Sequence, residues 1–156
     1  MASFHDLNIK NIIKETNDSV VISFEVPDEL MKKYTYSAGQ YTSLKVIINE
    51  EEIIRDYSIC SHNDEDLSIG VKKLENGLMS SFLNSSIKIG DSMKVSEPRG
   101  RFTVQSDFNS IIAIAAGSGI TPIMSMLKQT LFNTDKTFYL IYSNKSHQTT
   151  MFLSEI

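Results

Sequence analysis

Cysteine is almost absent from this chain of 156 residues, and its scarcity limits the chemistry that the chain can support. Cys60 is the only cysteine, which excludes an internal disulfide and any zinc or iron–sulfur site built from four cysteines of this chain alone. His5, His62 and His147 are far apart in the sequence and form no spaced ligand pair. We therefore expect neither a metal site nor an iron–sulfur cluster in this chain.

A strong excess of charge and long apolar runs are also missing. Lys plus Arg is 15 and Asp plus Glu is 19, a net charge of −4, and no basic block of the kind that binds nucleic acid occurs. No apolar run approaches the ~20 residues that a membrane-spanning helix needs, and the N-terminus has no signal-peptide pattern. The expectation is a soluble, cytoplasmic protein with neither a nucleic-acid partner nor a membrane partner.

Alternating apolar residues in the first two-thirds of the chain predict β-strands. The alternation has period two, and short polar joints separate one run from the next. Strand after strand with short joints is typical of an antiparallel sheet or barrel. The predicted strands cover residues 20–26, 42–48, 53–60, 67–71 and 93–95, and short helices are predicted at residues 28–33 and 77–83.

A different pattern begins after Phe102. Residues 106–110 are polar and form a candidate linker, and residues 111–116 are then apolar without alternation. Such a run is typical of a parallel strand that is buried on both faces. Thr121 is a good helix N-cap and Pro122 suits the first helical position, so a helix is predicted to begin there.

A second apolar run at residues 138–142 completes a strand–helix–strand unit. A parallel crossover of this kind normally belongs to a larger sheet. Residues 149–156 are predicted to be the first turns of another helix. Because a two-stranded parallel sheet leaves long edges open, self-association through an exposed edge is a further expectation.

The segment Arg55-Asp56-Tyr57-Ser58 carries groups that suit a flavin dinucleotide. On a strand, Arg55 and Tyr57 point to the same face, where a guanidinium can bind a diphosphate and a phenol ring can lie on an aromatic cofactor. Ser58 can hydrogen-bond at the edge of the ring, although an ideal strand points it away from Tyr57, so the ring must reach the strand's edge or end. By itself the segment is better explained as a polar barrel strand with one ion pair.

Three other motifs accompany this segment in a fixed order. Residues 39–41 read Gly-Gln-Tyr, residues 77–80 read Gly-Leu-Met-Ser, and residues 98–102 read Pro-Arg-Gly-Arg-Phe. A glycine at the start of a short helix allows close backbone approach, and the helix start can hold phosphate oxygens.

A glycine-rich loop follows the buried strand at residues 117–122, which read Gly-Ser-Gly-Ile-Thr-Pro. Glycines after such a strand let the backbone approach a diphosphate, and the following helix N-terminus offers unpaired N–H groups. Pro122 stands where the full dinucleotide fingerprint has its third glycine. A tight strand–helix turn explains the loop equally well without further context.

In this order the motifs resemble the ferredoxin–NAD(P) reductase family, most of all the group that includes the reductase component of phenylacetyl-CoA epoxidase in phenylacetate degradation. The likeness runs through essentially the whole chain and departs at Ala38, where the family usually has proline. It implies a β plus α/β fold, in which an antiparallel six-stranded β-barrel over residues 1–105 binds FAD. A truncated Rossmann-like nucleotide-binding domain is expected over residues 106–156.

The resemblance also implies roles for individual residues. Arg55 would pair with the FAD diphosphate, while Tyr57 and Ser58 are the expected catalytic residues, stacking on the isoalloxazine and hydrogen-bonding near N5, the atom that accepts hydride. Gly77, Met79 and Ser80 would hold the diphosphate, and the glycine-rich loop would bind NADPH or NADH. The full set of predicted cofactor-binding residues is Arg55, Tyr57, Ser58, Ile59, Val71, Lys72, Gly77, Leu78, Met79, Ser80, Gly117, Ser118, Gly119 and Thr121.

Two functions remain open from the sequence. The first is an FAD-dependent oxidoreductase that takes hydride from NAD(P)H and passes electrons to a ferredoxin-like iron–sulfur acceptor, whose own cluster this chain does not carry. The second is a non-catalytic flavin-binding module or inactive remnant, because the nucleotide-binding part is short. Lys145 would face a 2′-phosphate and favour NADPH in the first case, and a solvated lysine explains it equally well.

Overall fold

The computed structural model describes residues 3–104, 108–132 and 134–156. Over these ranges the chain forms two units, a sheet-rich first unit and a smaller second unit that contains one strand–helix–strand crossover. The strands are β1 (Phe4–Thr16), β2 (Ser19–Glu25), β3 (Tyr41–Ile48), β4 (Glu51–Ser58), β5 (Leu67–Lys72), β6 (Ser92–Ser96), β7 (Ser110–Ala116) and β8 (Thr137–Ser143), and the α-helices are α1 (Leu78–Ser85) and α2 (Ile120–Leu131). Short 3₁₀ turns lie at Asp28–Lys33, Gly117–Gly119 and His147–Thr149.

The first unit is a six-stranded antiparallel sheet in the order β4-β3-β6-β1-β2-β5. Its alternating apolar residues point to one face, as their period of two predicts, and helix α1 packs on them. This confirms the antiparallel prediction. The core side chains with no more than 1% exposure include Leu7, Ile9, Ile22, Phe24, Leu44, Ile59, Ile69, Val71, Leu83 and Val95.

Strand β1 was not predicted from the sequence. It is 13 residues long and pairs with both β2 and β6, so it lies near the middle of the sheet. Only Leu7 and Ile9 are buried along it, because much of its length faces solvent. Two buried residues among polar neighbours give too weak an alternation to identify a strand.

The described residues show the six-stranded antiparallel sheet of the prediction but no closed barrel. Strands β4 and β5 are the two edges of the sheet, and among the described residues no continuous ladder joins them. A single bridge between Ile59 and Ile69 brings the edges together, because the chain leaves strand geometry after Ser58 and resumes it only at Leu67. The sheet therefore curls towards closure and leaves an open seam beside the end of β4.

The second unit confirms the predicted strand–helix–strand order, with β7 and β8 paired in parallel. Burial of β7 on both faces was a wrong prediction. Ala113 and Ala115 are buried on one face, whereas Ile112 and Ile114 on the other are 71% and 75% exposed. Within the described ranges nothing covers that second face, and the Rossmann-like arrangement is only partly visible.

Helix α2 begins two residues earlier than predicted. Its N-cap is Gly119, and Ile120 is its first residue. The Thr121 hydroxyl does not cap the helix: it donates a hydrogen bond of 3.0 Å to the carbonyl of Ser118. Pro122 lies in the first turn, where its missing N–H leaves no intrahelical bond unmade.

The predicted helix at residues 149–156 is also wrong. A 3₁₀ turn at His147–Thr149 is followed by irregular turns up to Glu155. Phe152 has a φ of +59°, in the left-handed region, which a right-handed α-helix does not accommodate. Its ring is buried, and its N–H donates to the Glu15 carboxylate at 2.6 Å, so a tertiary contact decides the conformation.

The two units share one hydrophobic core. Val21 and Cys60 from the sheet pack with Met124 of α2 and with Met151 and Phe152 near the C-terminus. Burial raises the pKa of the Cys60 thiol to about 12, in keeping with a core residue rather than a reactive thiol.

Polar contacts reinforce the junction between the units. The Ser125 hydroxyl donates to the Ser61 carbonyl at 2.8 Å, and the Lys128 amine lies 3.3 Å from Glu65 and 3.2 Å from Glu155. The predicted domain boundary at residues 105 and 106, and part of the predicted linker, lie outside the described residues. No helix in the described ranges is long and apolar enough to cross a membrane.

Candidate functional site

A cavity of about 360 Å³ lies at the open seam of the sheet, where the second unit meets it. It brings together the end of β4, the end of β5 and the glycine-rich loop before α2, three segments that are far apart in sequence. Its size is within the usual range of small-molecule sites. The lining residues are Arg55, Asp56, Tyr57, Ser58, Gly70, Lys72, Leu74, Ser80, Ser118, Gly119, Thr121 and Pro122.

A second cavity of about 240 Å³ adjoins the first over the start of α1. Arg55 and Tyr57 line both cavities, so these two side chains stand at the junction. An extended ligand that crosses this junction contacts both compartments. The second cavity is lined by Arg55, Tyr57, Leu74, Asn76, Gly77, Leu78, Met79 and Ser80.

Tyr57 and Ser58 reach the same cavity because β4 ends at Ser58. Alternation points the two side chains to opposite faces within a strand, but both are half-buried at its end and both line the cavity. Burial raises the pKa of Tyr57 to about 12, an effect that the positive charge of Arg55 partly offsets. The phenol is therefore protonated at neutral pH and presents an uncharged aromatic ring.

The Arg55 guanidinium is available to an anion. The side chain is exposed, and Nη1 donates to the Ile54 carbonyl at 2.7 Å. Among the described residues it forms no ion pair. A guanidinium without a carboxylate partner beside a cavity is suited to bind a diphosphate.

The start of α1 forms a tight turn around Gly77. A Cβ at Gly77 would lie 2.5 Å from the Ser80 hydroxyl oxygen, so a larger residue does not fit. That hydroxyl accepts from the Leu74 amide at 3.0 Å and donates to the Gly77 carbonyl at 3.2 Å. The Met79 side chain is buried in the core, which leaves the unpaired backbone N–H groups of the first turn as the donors facing the cavity.

Two contacts shape the glycine-rich loop. Gly117 has a φ of +52°, in the left-handed region, and its carbonyl accepts from the Tyr142 hydroxyl at 3.0 Å. The hydroxyl of Thr121 closes the following turn onto Ser118. Ser118 and Gly119 consequently line the cavity, whereas Gly117 does not.

Besides Gly117, three of the predicted cofactor-binding residues lie apart from the cavities or are already occupied. The side chains of Ile59 and Val71 are fully buried in the sheet core and face no cavity. Lys72 lines the first cavity, but its amine donates to the Thr149 carbonyl at 2.8 Å and lies 3.6 Å from Asp18. Lys72 thus ties the sheet to the C-terminal segment.

Five lining residues were missed in the prediction, namely Asp56, Gly70, Leu74, Asn76 and Pro122. Gly70 had a signal in the sequence, because an isolated glycine inside a strand often marks the close approach of another element. A Cβ at Gly70 would lie 2.6 Å from Cγ2 of Thr121, in the first turn of α2. Pro122 belongs to the glycine-rich motif but was left out of the predicted set, and Asp56, Leu74 and Asn76 carried no signal of their own.

Two family models match successive parts of the chain. Residues 6–104 match the oxidoreductase FAD-binding domain family, and residues 113–156 match the oxidoreductase NAD-binding domain family. One component of the 1,2-phenylacetyl-CoA epoxidase of Escherichia coli K12 is 38% identical over 157 residues, covering 97% of this chain and 44% of the relative. The ferredoxin reductase component of 3-ketosteroid-9-alpha-monooxygenase from Rhodococcus rhodochrous is 33% identical, and the match covers 96% of this chain and 44% of the relative.

Solved structures show the same fold. Phthalate dioxygenase reductase, described as a modular structure for electron transfer from pyridine nucleotides to [2Fe–2S], superposes with a TM-score of 0.82 at 28% identity, covering 98% of this chain and 47% of that protein. This chain spans less than half the length of these relatives. The first family match covers most of the chain, and this chain belongs to the oxidoreductase FAD-binding domain family, with a match to the oxidoreductase NAD-binding domain family after it.

Proposed function

We propose that this chain binds FAD and takes part in hydride transfer from NADPH or NADH to the flavin. One observation carries the proposal: a single cavity is lined both by Arg55, Tyr57 and Ser58 and by the glycine-rich loop at Ser118 and Gly119. Hydride transfer needs the flavin and the nicotinamide to meet, and this cavity lies between the segments that match the two domain families.

The residues at the two cavities suit the parts of FAD. The unpaired Arg55 guanidinium and the backbone N–H groups at the start of α1 would hold the diphosphate, where Gly77 leaves room. The uncharged ring of Tyr57 would lie against the isoalloxazine, and Ser58 would hydrogen-bond near N5. Bound FAD would supply the hydride-accepting chemistry, and the protein would bind, orient and shield the flavin.

NAD(P)H is proposed to bind at the glycine-rich loop. Ser118, Gly119 and Thr121 line the cavity on the side opposite β4, and the Tyr142 contact holds the loop in position. A Cβ added at Gly119 would meet no atom within 4 Å, so the backbone there is open to a ligand. Lys145 is an exposed candidate for contact with a 2′-phosphate.

An iron–sulfur protein is proposed as the electron acceptor. The similar proteins are reductase components, and one of them transfers electrons to a [2Fe–2S] centre. With one cysteine, this chain needs that centre from elsewhere. The lone, buried thiol is also typical of a protein of the reducing cytoplasm, where we propose that the chain works.

The proposed organisation keeps an FAD-binding unit over residues 1–105 and the start of a Rossmann-like nucleotide-binding unit over residues 106–156. The uncovered face of β7 and β8 carries Ile112, Ile114, Tyr139 and Ile141, which are all more than half exposed. A surface of this kind is normally covered in an α/β sheet. We propose that further elements of the same domain, or a second copy of the chain, cover it.

A flavin-binding module without catalysis is the second candidate function. The observation that favours it is the same uncovered face, since the nucleotide-binding unit has only one helix on one side of its sheet in the described residues. In that case FAD binds as above but receives no hydride from NAD(P)H.

A visible spectrum of the purified chain, before and after addition of FAD, is the first test. Anaerobic NADPH or NADH is then added. Bleaching of the flavin band supports the oxidoreductase, and an unchanged band supports the binding module. A colourless protein that takes up no FAD would contradict the assignment of Arg55, Tyr57 and Ser58.

A further inference from the structure

Strand β4, which carries Arg55 and Tyr57, is an edge strand and, within the described ranges, pairs only with β3. The loop that follows β6 reinforces this edge. Arg99 in this loop exchanges two backbone hydrogen bonds of 2.9 Å with Tyr41 of β3, so the loop continues the line of β6 alongside β3. From there the Arg99 side chain extends across β3 to β4.

The Arg99 side chain ends at Asp56, the residue between Arg55 and Tyr57. Ser43 and Asp56 are opposite each other on β3 and β4, and the Ser43 hydroxyl donates to the Asp56 carboxylate. Nη2 of Arg99 donates to the Ser43 hydroxyl oxygen at 2.6 Å and lies 3.5 Å from Oδ1 of Asp56. Asp56 is therefore held by a hydroxyl and by a positive charge at once.

Further contacts fix the guanidinium of Arg99. Nε donates to the Tyr41 hydroxyl at 3.2 Å and Nη1 to the Ser96 hydroxyl at 3.4 Å. The guanidinium carbon also lies 5.1 Å from the centre of the Tyr41 ring, within cation–π range. Arg99 is thus anchored to β3 and to the end of β6 while it reaches Asp56.

The Asp56 carboxylate has two possible partners among neighbouring arginines. It follows Arg55 directly in sequence and lines the same cavity, yet its ion pair is with Arg99, and Arg55 has none in the described part of the chain. A carboxylate that is not held in this way would compete for Arg55 and would repel a diphosphate. Charges this close interact appreciably even near the surface.

The exposure of the pair argues against a role in stability alone. The side chains of Arg99 and Asp56 are 39% and 56% exposed, and ion pairs at such exposure contribute little to folding. The ion pair instead affects the anion site next to it. We propose that Arg99 is a positioning residue for the diphosphate: by holding the Asp56 carboxylate, it keeps Arg55 free to bind FAD.

This inference rests on the proposed function, and the test separates the two. FAD and riboflavin affinities are measured by fluorescence titration for the wild type, R99M, D56N and R99M/D56N, with the unfolding midpoint of each. Riboflavin has the ring system without the diphosphate. R101M is the matched control, because it removes the same charge from the same loop and Arg101 has no ion-pair partner among the described residues.

R99M is expected to weaken FAD binding about tenfold, the effect of losing one charge-assisted hydrogen bond, and to leave riboflavin binding unchanged. D56N is expected to strengthen FAD binding by about two- to threefold, and the double variant to recover to within about threefold of the wild type. R101M is expected to change FAD binding by less than about twofold.

A purely structural role predicts something different. The bonds from Arg99 to Tyr41 and Ser96 stay broken in R99M/D56N, so weakening of FAD and riboflavin alike, with no recovery in the double variant, overturns the proposal. Unchanged FAD binding by R99M, or weaker FAD binding by D56N, also overturns it. If the wild type binds riboflavin but not FAD, or binds neither, the proposed function itself fails and the inference fails with it.

Discussion

Gly70 of β5 and Thr121 of α2 approach so closely that a Cβ on the glycine would lie 2.6 Å from Cγ2 of the threonine. Strand β5 and the start of α2 are thus in contact at the wall of the larger cavity. The contact sets the distance between the flavin-binding unit and the glycine-rich loop, and it leaves no room for a side chain at position 70.

The first prediction concerns this contact. G70A is expected to push the loop away from the sheet and to lower the free energy of unfolding by about 1–3 kcal/mol, as overpacking in a core does. Flavin reduction by NAD(P)H should suffer more than FAD binding, since the strain lies on the loop side. Stopped-flow reduction and chemical denaturation measure the two effects.

The double variant G70A/T121S is the matched control for the first prediction. Serine keeps the hydroxyl that donates to Ser118 and removes the methyl group that the new Cβ would meet. The double variant should recover most of the stability and most of the flavin reduction that G70A loses. A double variant as impaired as G70A would show that the approach of Gly70 to Thr121 is not what limits the site.

The second prediction concerns the bond from Tyr142 to the Gly117 carbonyl. Y142F removes one hydrogen bond of 3.0 Å, a change that costs about 1 kcal/mol, and frees the glycine-rich loop. The expected result is weaker NAD(P)H binding, measured as the concentration that gives half-maximal flavin reduction, with FAD affinity unchanged. Y139F makes the same change on the same strand at an exposed ring and should have no effect. Equal effects of both variants would contradict the assignment.

The third prediction is a loss of stability at alkaline pH. Burial raises the pKa of Cys60 from 9.0 to about 12, and those of Tyr36 and Tyr57 from 10.0 to about 12. The folded state therefore holds these protons more tightly than the unfolded state does. Their contribution is fully present below about pH 9 and is lost as the pH rises from 9 towards 12.

Urea denaturation at a series of pH values measures this dependence. The free energy of unfolding should fall above pH 9, by up to about 1.4 kcal/mol per pH unit for each buried group that titrates. C60A should be less stable than the wild type at neutral pH but should show a shallower decline between pH 9 and 10, where Cys60 is the first to contribute. Parallel curves for the two proteins would exclude the thiol as a source of the decline.

The fourth prediction concerns the uncovered face of β7 and β8. If a second copy covers it, I114E should shift the chain towards the monomer in sedimentation velocity experiments, because Ile114 is 75% exposed in a single chain. The same change at Ile13, a half-exposed residue on β1, is the matched control and should leave the association unchanged. A wild-type chain that is monomeric at high concentration would argue against self-association.

The sequence predicted what depends on local pattern. Alternation on β4 correctly grouped Arg55 with Tyr57, and the apolar runs correctly indicated a parallel crossover. Whether Ser58 shares the cavity with Tyr57 depends on where the strand ends, and that is decided by the seam between β4 and β5. A pattern of single residues does not contain that information.

Other features depended on partners distant in the chain. Phe152 takes a left-handed conformation because its ring is buried between the units and its N–H meets Glu15, 137 residues earlier. No role was predicted for Asp56, and only the path of Arg99 across β3 shows what holds it. Contacts of this kind come from the tertiary fold and override local preference.

The core that Val21 and Cys60 share with Met124 and Phe152 makes the two units thermodynamically inseparable. Neither unit can open without exposing apolar surface of the other, so the chain should melt in one cooperative transition rather than in two steps. Three of the buried side chains at this junction are methionines, which are flexible enough to repack. The junction between the two units is therefore deformable but does not act as a hinge. Repacking of its side chains absorbs small displacements, and the two units remain in contact.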